Sequence, residues 1–362
     1  MAEDEKERIP EKAEEAPRRK GEPYRYPLKR VHWRFPDPDY DGDIFIWDID
    51  NTYIRTDFSS LTGLMRIPFE SATDKVNVSG TAALLRELRR GSGKSNAKNP
   101  LYFISASPPQ LAKVLEEKLE LDNVEHEGIT FKDQLSNLRR GSFRKLREQY
   151  GFKLSALLAN RAKFPPKARE TLFGDDSESD ASIYSLYADI CGGRLRAENL
   201  EATLANLGVG VEDVAYIVDL AEKLPDYDPV DKIYIHLEKK TPAKDFAVYG
   251  PRLVPTRDSF QTALALFADG RISLGGMVRV GEELLKDFGF STLDLLRSVF
   301  DLYQRGILTA KQMVKLTPTL RTSELLPPEF AFEPLKGWDK AKEPEAVAEP
   351  PDRFRTPERF LT

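Results

Sequence analysis

Carboxylates, hydroxyls and one lysine stand where this chain turns from apolar to polar. Asp48 and Asp50 lie two residues apart and are followed by Asn51 and Thr52. Ser105 and Ser107 close the string F-I-S-A-S-P, and Lys153 opens K-L-S-A-L-L. Asp175, Asp176 and Asp180 share the string G-D-D-S-E-S-D. Oxygen donors of this kind suit Mg²⁺, a hard cation that keeps water and phosphate oxygens in its shell. A carboxylate can attack phosphorus, splitting one hard hydrolysis into two easier steps. A lysine and a hydroxyl stabilise the phosphoryl charge as the transition state spreads it. The chemistry proposed by residue type is therefore phosphoryl transfer at a Mg²⁺ site with a nucleophilic carboxylate.

These groups need elements that bring them together. Ile44, Phe45, Ile46 and Trp47 form a short β-branched and aromatic run, the pattern of a strand buried on both faces. Similar runs precede the other clusters: 101–104 before Ser105, and 168–173 before Asp175. Further strands are expected at 128–131 and 232–237, the last of the sheet. Helical spacing of apolar residues from Gly80, from Pro109, from about Ser142 and around Leu154–Leu157–Leu158 fills the gaps. Alternation of this kind predicts an α/β fold, a doubly wound, Rossmann-like parallel sheet with helices on both faces. Such sheets bind ligands at the carboxyl ends of their strands, where all three clusters would converge.

Each residue also has a plainer reading. Asp175 with Asp180 could cap a helix, and Ser107 before Pro108 reads as an N-cap. Lys153 could be a surface lysine at a helix start, with Lys163 or Lys167 in its place. His32, His126 and His236 read as packing or surface residues, Cys191 as a small buried hydrophobe. Arg139, Arg140 and Lys145 read as a solvated basic face.

Composition excludes several classes. The 362 residues carry a net charge of −5, which disfavours nucleic acid as a partner. One cysteine rules out an intrachain disulfide and a cysteine-based zinc site. No run of about 18 apolar residues offers a membrane span, and the charged N-terminus is unlike a signal peptide. A cytoplasmic location is the expectation.

The motifs, in this order, resemble those of the haloacid dehalogenase superfamily. The closer likeness is to the catalytic domain of the actin-patch phosphatidate phosphatase family. It rests on D-I-D-N-T at 48–52, N-P-L-Y-F-I-S-A-S-P at 99–108, K-L-S-A-L-L at 153–158, F-P at 164–165 and G-D-D-S-E-S-D-A-S-I-Y at 174–184. The resemblance implies Asp48 as nucleophile and metal ligand, and Asp50 as general acid with its main-chain carbonyl on the metal. It implies Ser105 on a phosphate oxygen with Ser107 assisting, and Lys153 neutralising nucleophile and phosphate. Asp175 would ligate Mg²⁺, and Asp180 would support it. Asn51 departs from the family's aspartate, Asp176-Ser177 from its Ser-Gly, and 195–223 is an insertion.

The expected organisation is a disordered tail (1–22), a phosphatase domain (23–250, helical insertion about 195–225), a helical accessory module (251–325) and a largely disordered tail (335–362). A flap is expected at 53–73. The expected activity is Mg²⁺-dependent hydrolysis of a phosphomonoester, a phosphorylated small molecule or a lipid such as phosphatidate. The alternatives are a catalytically idle domain that binds a phosphorylated ligand or partner, and a phosphotransferase.

Overall fold

The structure, a computed structural model, describes residues 24–55, 76–94, 98–133, 142–177, 179–225 and 227–333, with the side chains of 142–147 left aside. Both expected tails, most of the expected flap and the Arg139, Arg140 and Lys145 side chains lie outside the described residues.

The fold is α/β. Among the described residues seven strands form one sheet in the order β1-β4-β3-β2-β5-β6-β7. They are β1 (Leu28–Val31), β2 (Asp43–Asp48), β3 (Leu101–Ser105), β4 (Gly128–Lys132), β5 (Arg169–Asp175), β6 (Val230–His236) and β7 (Leu253–Thr256). Among these described strands only the β1–β4 pair is antiparallel. The chain runs outward through β2, β3 and β4, then returns to place β5 on the other side of β2. β2 is thus the switch point of the sheet, and its carboxyl end opens the crevice where such folds hold ligands.

The period-2 geometry of strands sorts the apolar runs onto two faces. Ile44, Ile46, Tyr102 and Ile104 enter one core, and Phe45, Trp47, Leu101 and Phe103 enter the other. Both faces are covered. Helices α3 (Ser142–Arg161), α4 (Asp180–Cys191), α5 (Ala197–Asn206) and α6 (Val211–Glu222) contribute to the first core. Helices α1 (Thr81–Arg90), α2 (Ala112–Leu121), α7 (Ser259–Ala268), α8 (Leu274–Asp287), α9 (Thr292–Gln304) and α10 (Ala310–Thr322) contribute to the second. Ser291 and Thr309 start α9 and α10 with capping boxes.

Three expectations change. The sheet begins before Ile44, because β1 supplies an antiparallel edge from the aromatic N-terminal arm. It ends after β6, because β7 adds a further strand; its Pro255 is tolerated there because an edge strand leaves one row of N–H groups unused. Residues 142–161 form one continuous helix, so Lys153 sits mid-helix and does not start a new one. Gly151 lies within it where a Cβ would come 2.9 Å from the Asp213 carboxylate, so its bareness lets α6 pack closely.

Candidate active site

The carboxyl ends of β3, β2 and β5 lie side by side and end in Ser105, Asp48 and Asp175. All three residues are fully buried, as are Lys153 and Asp180. Lys153 Nζ is 3.0 Å from Asp48 Oδ1 and also pairs with Asp180 Oδ1. Neither alternative lysine is there: Lys163 is exposed and its Nζ lies over the Phe35 ring, and Lys167 is exposed too.

Beyond β2 the chain doubles back sharply. Asn51 adopts a left-handed φ of 56°, a conformation asparagine tolerates better than most residues. The Ile54 and Tyr53 amides both donate to the Ile49 carbonyl at 3.0 Å, closing the turn. That turn aims Thr52 inward. Its Oγ1 lies 3.4 Å from Asp48 Oδ2, 3.3 Å from Asp175 Oδ2 and 3.5 Å from the Asp50 main-chain carbonyl oxygen. Three oxygens from two strand ends thus face the same point.

The Asp50 carboxylate turns the other way. Ser105 Oγ donates to its Oδ2 at 3.1 Å and Ser107 Oγ to its Oδ1 at 3.0 Å. Ser107 therefore does not cap a helix. The helical turn after it begins as a 3₁₀ turn at Pro109, with Pro108 at its N-cap and no side-chain cap. Its amide also donates to Ser105 Oγ at 3.1 Å, which fixes the two hydroxyls as a pair.

Asp180 is likewise no conventional cap. Ser179 holds the N-cap position of α4 without a side-chain bond, and the Asp180 carboxylate accepts the Asp175 amide at 3.3 Å. Gly174 makes room for it, because a Cβ there would stand 2.6 Å from the Asp180 Cβ. Gly174→Ala is accordingly expected to push Asp180 away from Lys153. Divalent-metal affinity, read by titration calorimetry, should fall by about tenfold or more, in line with the loss of an orienting partner at a metal site.

The loop after β5 is stitched to the strand beside it. His236 pairs with Asp175 in the β5–β6 register, and its carbonyl accepts the Asp176 amide at 2.9 Å. The Asp176 carboxylate accepts the amides of Lys239 (2.7 Å) and Thr241 (3.0 Å). The Ser177 amide donates to Asp175 Oδ1. Asn51 Nδ2 donates to Ser177 Oγ at 3.2 Å, so two of the departures from the family pattern touch each other.

Asp48, Asp175 and Asp180 each offer an oxygen, and the three lie within 4.8 Å of one another. Trans ligands of an octahedral Mg²⁺ stand about 4.2 Å apart and cis ligands about 3 Å, from metal–oxygen distances of about 2.1 Å. The donor set is all hard oxygen, and the Lys153 ammonium pairs with two of its three buried carboxylates, Asp48 and Asp180. The residues fit a divalent cation.

Sequence reasoning missed Tyr184 and His236. Tyr184 is fully buried on α4, four residues from Asp180 and so on its helical face. Burial first, then the charges of Asp180, Asp48 and Asp175, push its phenol well above the ordinary range. It stays neutral, donates to the Phe173 carbonyl at 3.3 Å and walls the site. The other histidines stand apart: burial lowers His126 to about 4, and His32 is exposed beside Glu116. Cys191 is buried, and that burial raises its thiol.

Residues 44–197 match the family model described as phosphatidate phosphatase APP1, catalytic domain. The match spans less than half of the chain and contains every residue of the cluster. No curated protein and no solved structure matches the chain. No helix among the described residues is long and apolar enough to cross a membrane.

Proposed function

We propose that this protein is a Mg²⁺-dependent phosphomonoesterase of the haloacid dehalogenase type, acting through an aspartyl-phosphate on a phosphorylated lipid such as phosphatidate. The observation that carries this reading is the convergence of Asp48, Asp175 and Asp180 with Lys153 at the switch point of the sheet. The family match over 44–197 supports the substrate class. Residues 23–250 would form the phosphatase domain, with β7 and the helices of 251–325 completing one edge and one face of its sheet.

Asp48, Asp175 and the Asp50 carbonyl would hold the metal, which supplies charge neutralisation for the incoming phosphoryl oxygens. Asp180 positions Lys153 and the start of the β5 loop. Asp48 then attacks phosphorus in line, the bond to the alcohol oxygen breaks, and Asp50 gives that oxygen a proton. Asp50 next takes a proton from the water that opens the acyl phosphate. Ser105 and Ser107 both donate to the Asp50 carboxylate and hold it in place.

The test is phosphate release from an aryl phosphate and from phosphatidate with Mg²⁺ or EDTA. Turnover is expected with Mg²⁺ and lost with EDTA, and excess Mg²⁺ restores it. Tight Mg²⁺ binding with no turnover on either substrate would favour a phospholigand-binding domain. Phenol release from the aryl phosphate that outruns phosphate release when alcohol acceptors are added would favour phosphotransfer.

A further inference from the structure

Asp122 directly follows α2, and four side chains converge on it. One oxygen of its carboxylate accepts the Tyr53 hydroxyl at 2.5 Å and Asn77 Nδ2 at 2.6 Å. The other accepts Lys118 Nζ at 2.6 Å. Its main-chain carbonyl accepts Arg86 Nη1 at 2.7 Å, and Arg86 Nη2 pairs with Glu283 of α8. The Asp122 and Lys118 side chains are only 14% and 11% exposed, so solvent screens these bonds little.

Two of these donors sit where the chain leaves the candidate site and where it returns. Tyr53 directly follows Thr52, and Asn77 pairs with Ile54 in an antiparallel bridge. On either side of that bridge the Arg55 amide donates to the Val76 carbonyl and the Val78 amide to the Tyr53 carbonyl, both at 2.9 Å. The same residues close the turn after β2, since the Asn51 amide donates to the Ile54 carbonyl at 2.8 Å. That turn carries the Thr52 hydroxyl and, 3.5 Å from it, the Asp50 carbonyl. The Tyr53 ring is fully buried beside Phe103, and burial and Asp122 both raise its phenol, which stays a neutral donor. A buried tyrosine hydroxyl needs a partner, and a carboxylate makes the stronger, charge-assisted kind of bond.

On the reading of the site given above, we infer that Asp122 is a positioning residue of the metal centre. By holding Tyr53 and Asn77 on one carboxylate oxygen, it fixes the turn 49–54 and with it the Thr52 hydroxyl and the Asp50 carbonyl. A turn fixed in advance takes nothing from metal affinity, whereas a loose one must be ordered as the metal binds. Arg86 and Glu283 extend the same support to α8, so the C-terminal helices hold the residue that holds the turn.

The experiment titrates Mg²⁺ calorimetrically into the full chain and its variants, each checked for a folded thermal transition. Asp122→Ala should weaken Mg²⁺ binding by about tenfold, the low end of what an orienting partner contributes at a metal site. Tyr53→Phe keeps the buried ring and leaves Asp122 paired with Lys118 and Asn77, so it tests the same bond in a less disturbed protein. It should weaken Mg²⁺ binding too, and the double variant should bind no worse than Asp122→Ala, because both changes break one interaction. Asp122→Asn retains an acceptor oxygen for Tyr53 and Asn77 and should keep the wild-type affinity. Unchanged affinity in both Asp122→Ala and Tyr53→Phe, whatever their thermal midpoints, would make Asp122 a structural residue only and overturn the inference. So would losses that add in the double variant, or an Asp122→Asn protein as weak as Asp122→Ala. Failure of the wild type to bind Mg²⁺ at all would overturn the phosphatase reading, and this inference with it.

Discussion

Asp48→Asn is expected to lower Mg²⁺-dependent phosphate release by about 10⁵-fold, the scale seen when a nucleophile is removed. The amide keeps the carboxylate's shape but is a poor nucleophile toward phosphorus. The protein should remain folded, and the reason is electrostatic. Asp48 shares Lys153 with Asp180 and stands beside the buried Asp175, so neutralising it leaves a less repulsive cluster. The thermal midpoint of the metal-free variant should equal or exceed that of the wild type, which separates lost chemistry from lost structure. Asp50→Asn gives the contrasting result. A general acid contributes about 10²–10⁴-fold, and its worth depends on how much the leaving oxygen needs a proton. The loss should therefore be large for alkyl phosphates and small for an aryl phosphate with an acidic phenol. Wild-type rates in Asp48→Asn, or equal losses in Asp50→Asn across leaving groups, would remove the roles proposed for these two residues.

Why were these residues visible in the chain at all? Ile44–Trp47 is apolar on both faces and ends at Asp48, and a buried carboxylate at such a point requires compensation. The same logic located Ser105 and Asp175, since parallel strands align their carboxyl ends. Other features were hidden for physical reasons. β1 reads L-K-R-V and β7 reads L-V-P-T, and edge strands carry charge and proline that a central strand excludes. The mid-helix place of Lys153 was obscured because Gly151 looks like a helix boundary, whereas it serves the contact with α6. Ser107 looked like a cap because it precedes proline. Its hydroxyl bond to Asp50 spans 57 residues, a distance no local pattern carries. The Asn51–Ser177 contact is hidden in the same way, and it turns two separate departures from the family pattern into one paired feature.

Lys153→Met should produce the largest loss of stability of any single change at the site. Methionine fills much the same volume and removes the ammonium that pairs with Asp48 and Asp180 in full burial. Removing one partner of a buried ion pair costs about 3–5 kcal/mol because the other is left uncompensated. At about 2–4 °C per kcal/mol, the midpoint of the metal-free protein should fall by roughly 6 °C or more. Two dependences distinguish this from simple loss of packing. Mg²⁺ supplies the missing positive charge, so it should raise the variant's midpoint at least as much as the wild type's, where a hundredfold excess over Kd contributes about 2.7 kcal/mol. Protonation of the stranded carboxylates relieves the same repulsion, so the deficit should be smaller at pH 5 than at pH 8. A surface lysine would give less than about 1 kcal/mol, with no response to metal or pH. Calorimetric scans of both proteins, with and without Mg²⁺ at the two pH values, decide between these outcomes. A deficit indifferent to both would mean that Lys153 fills space and does not balance the carboxylates.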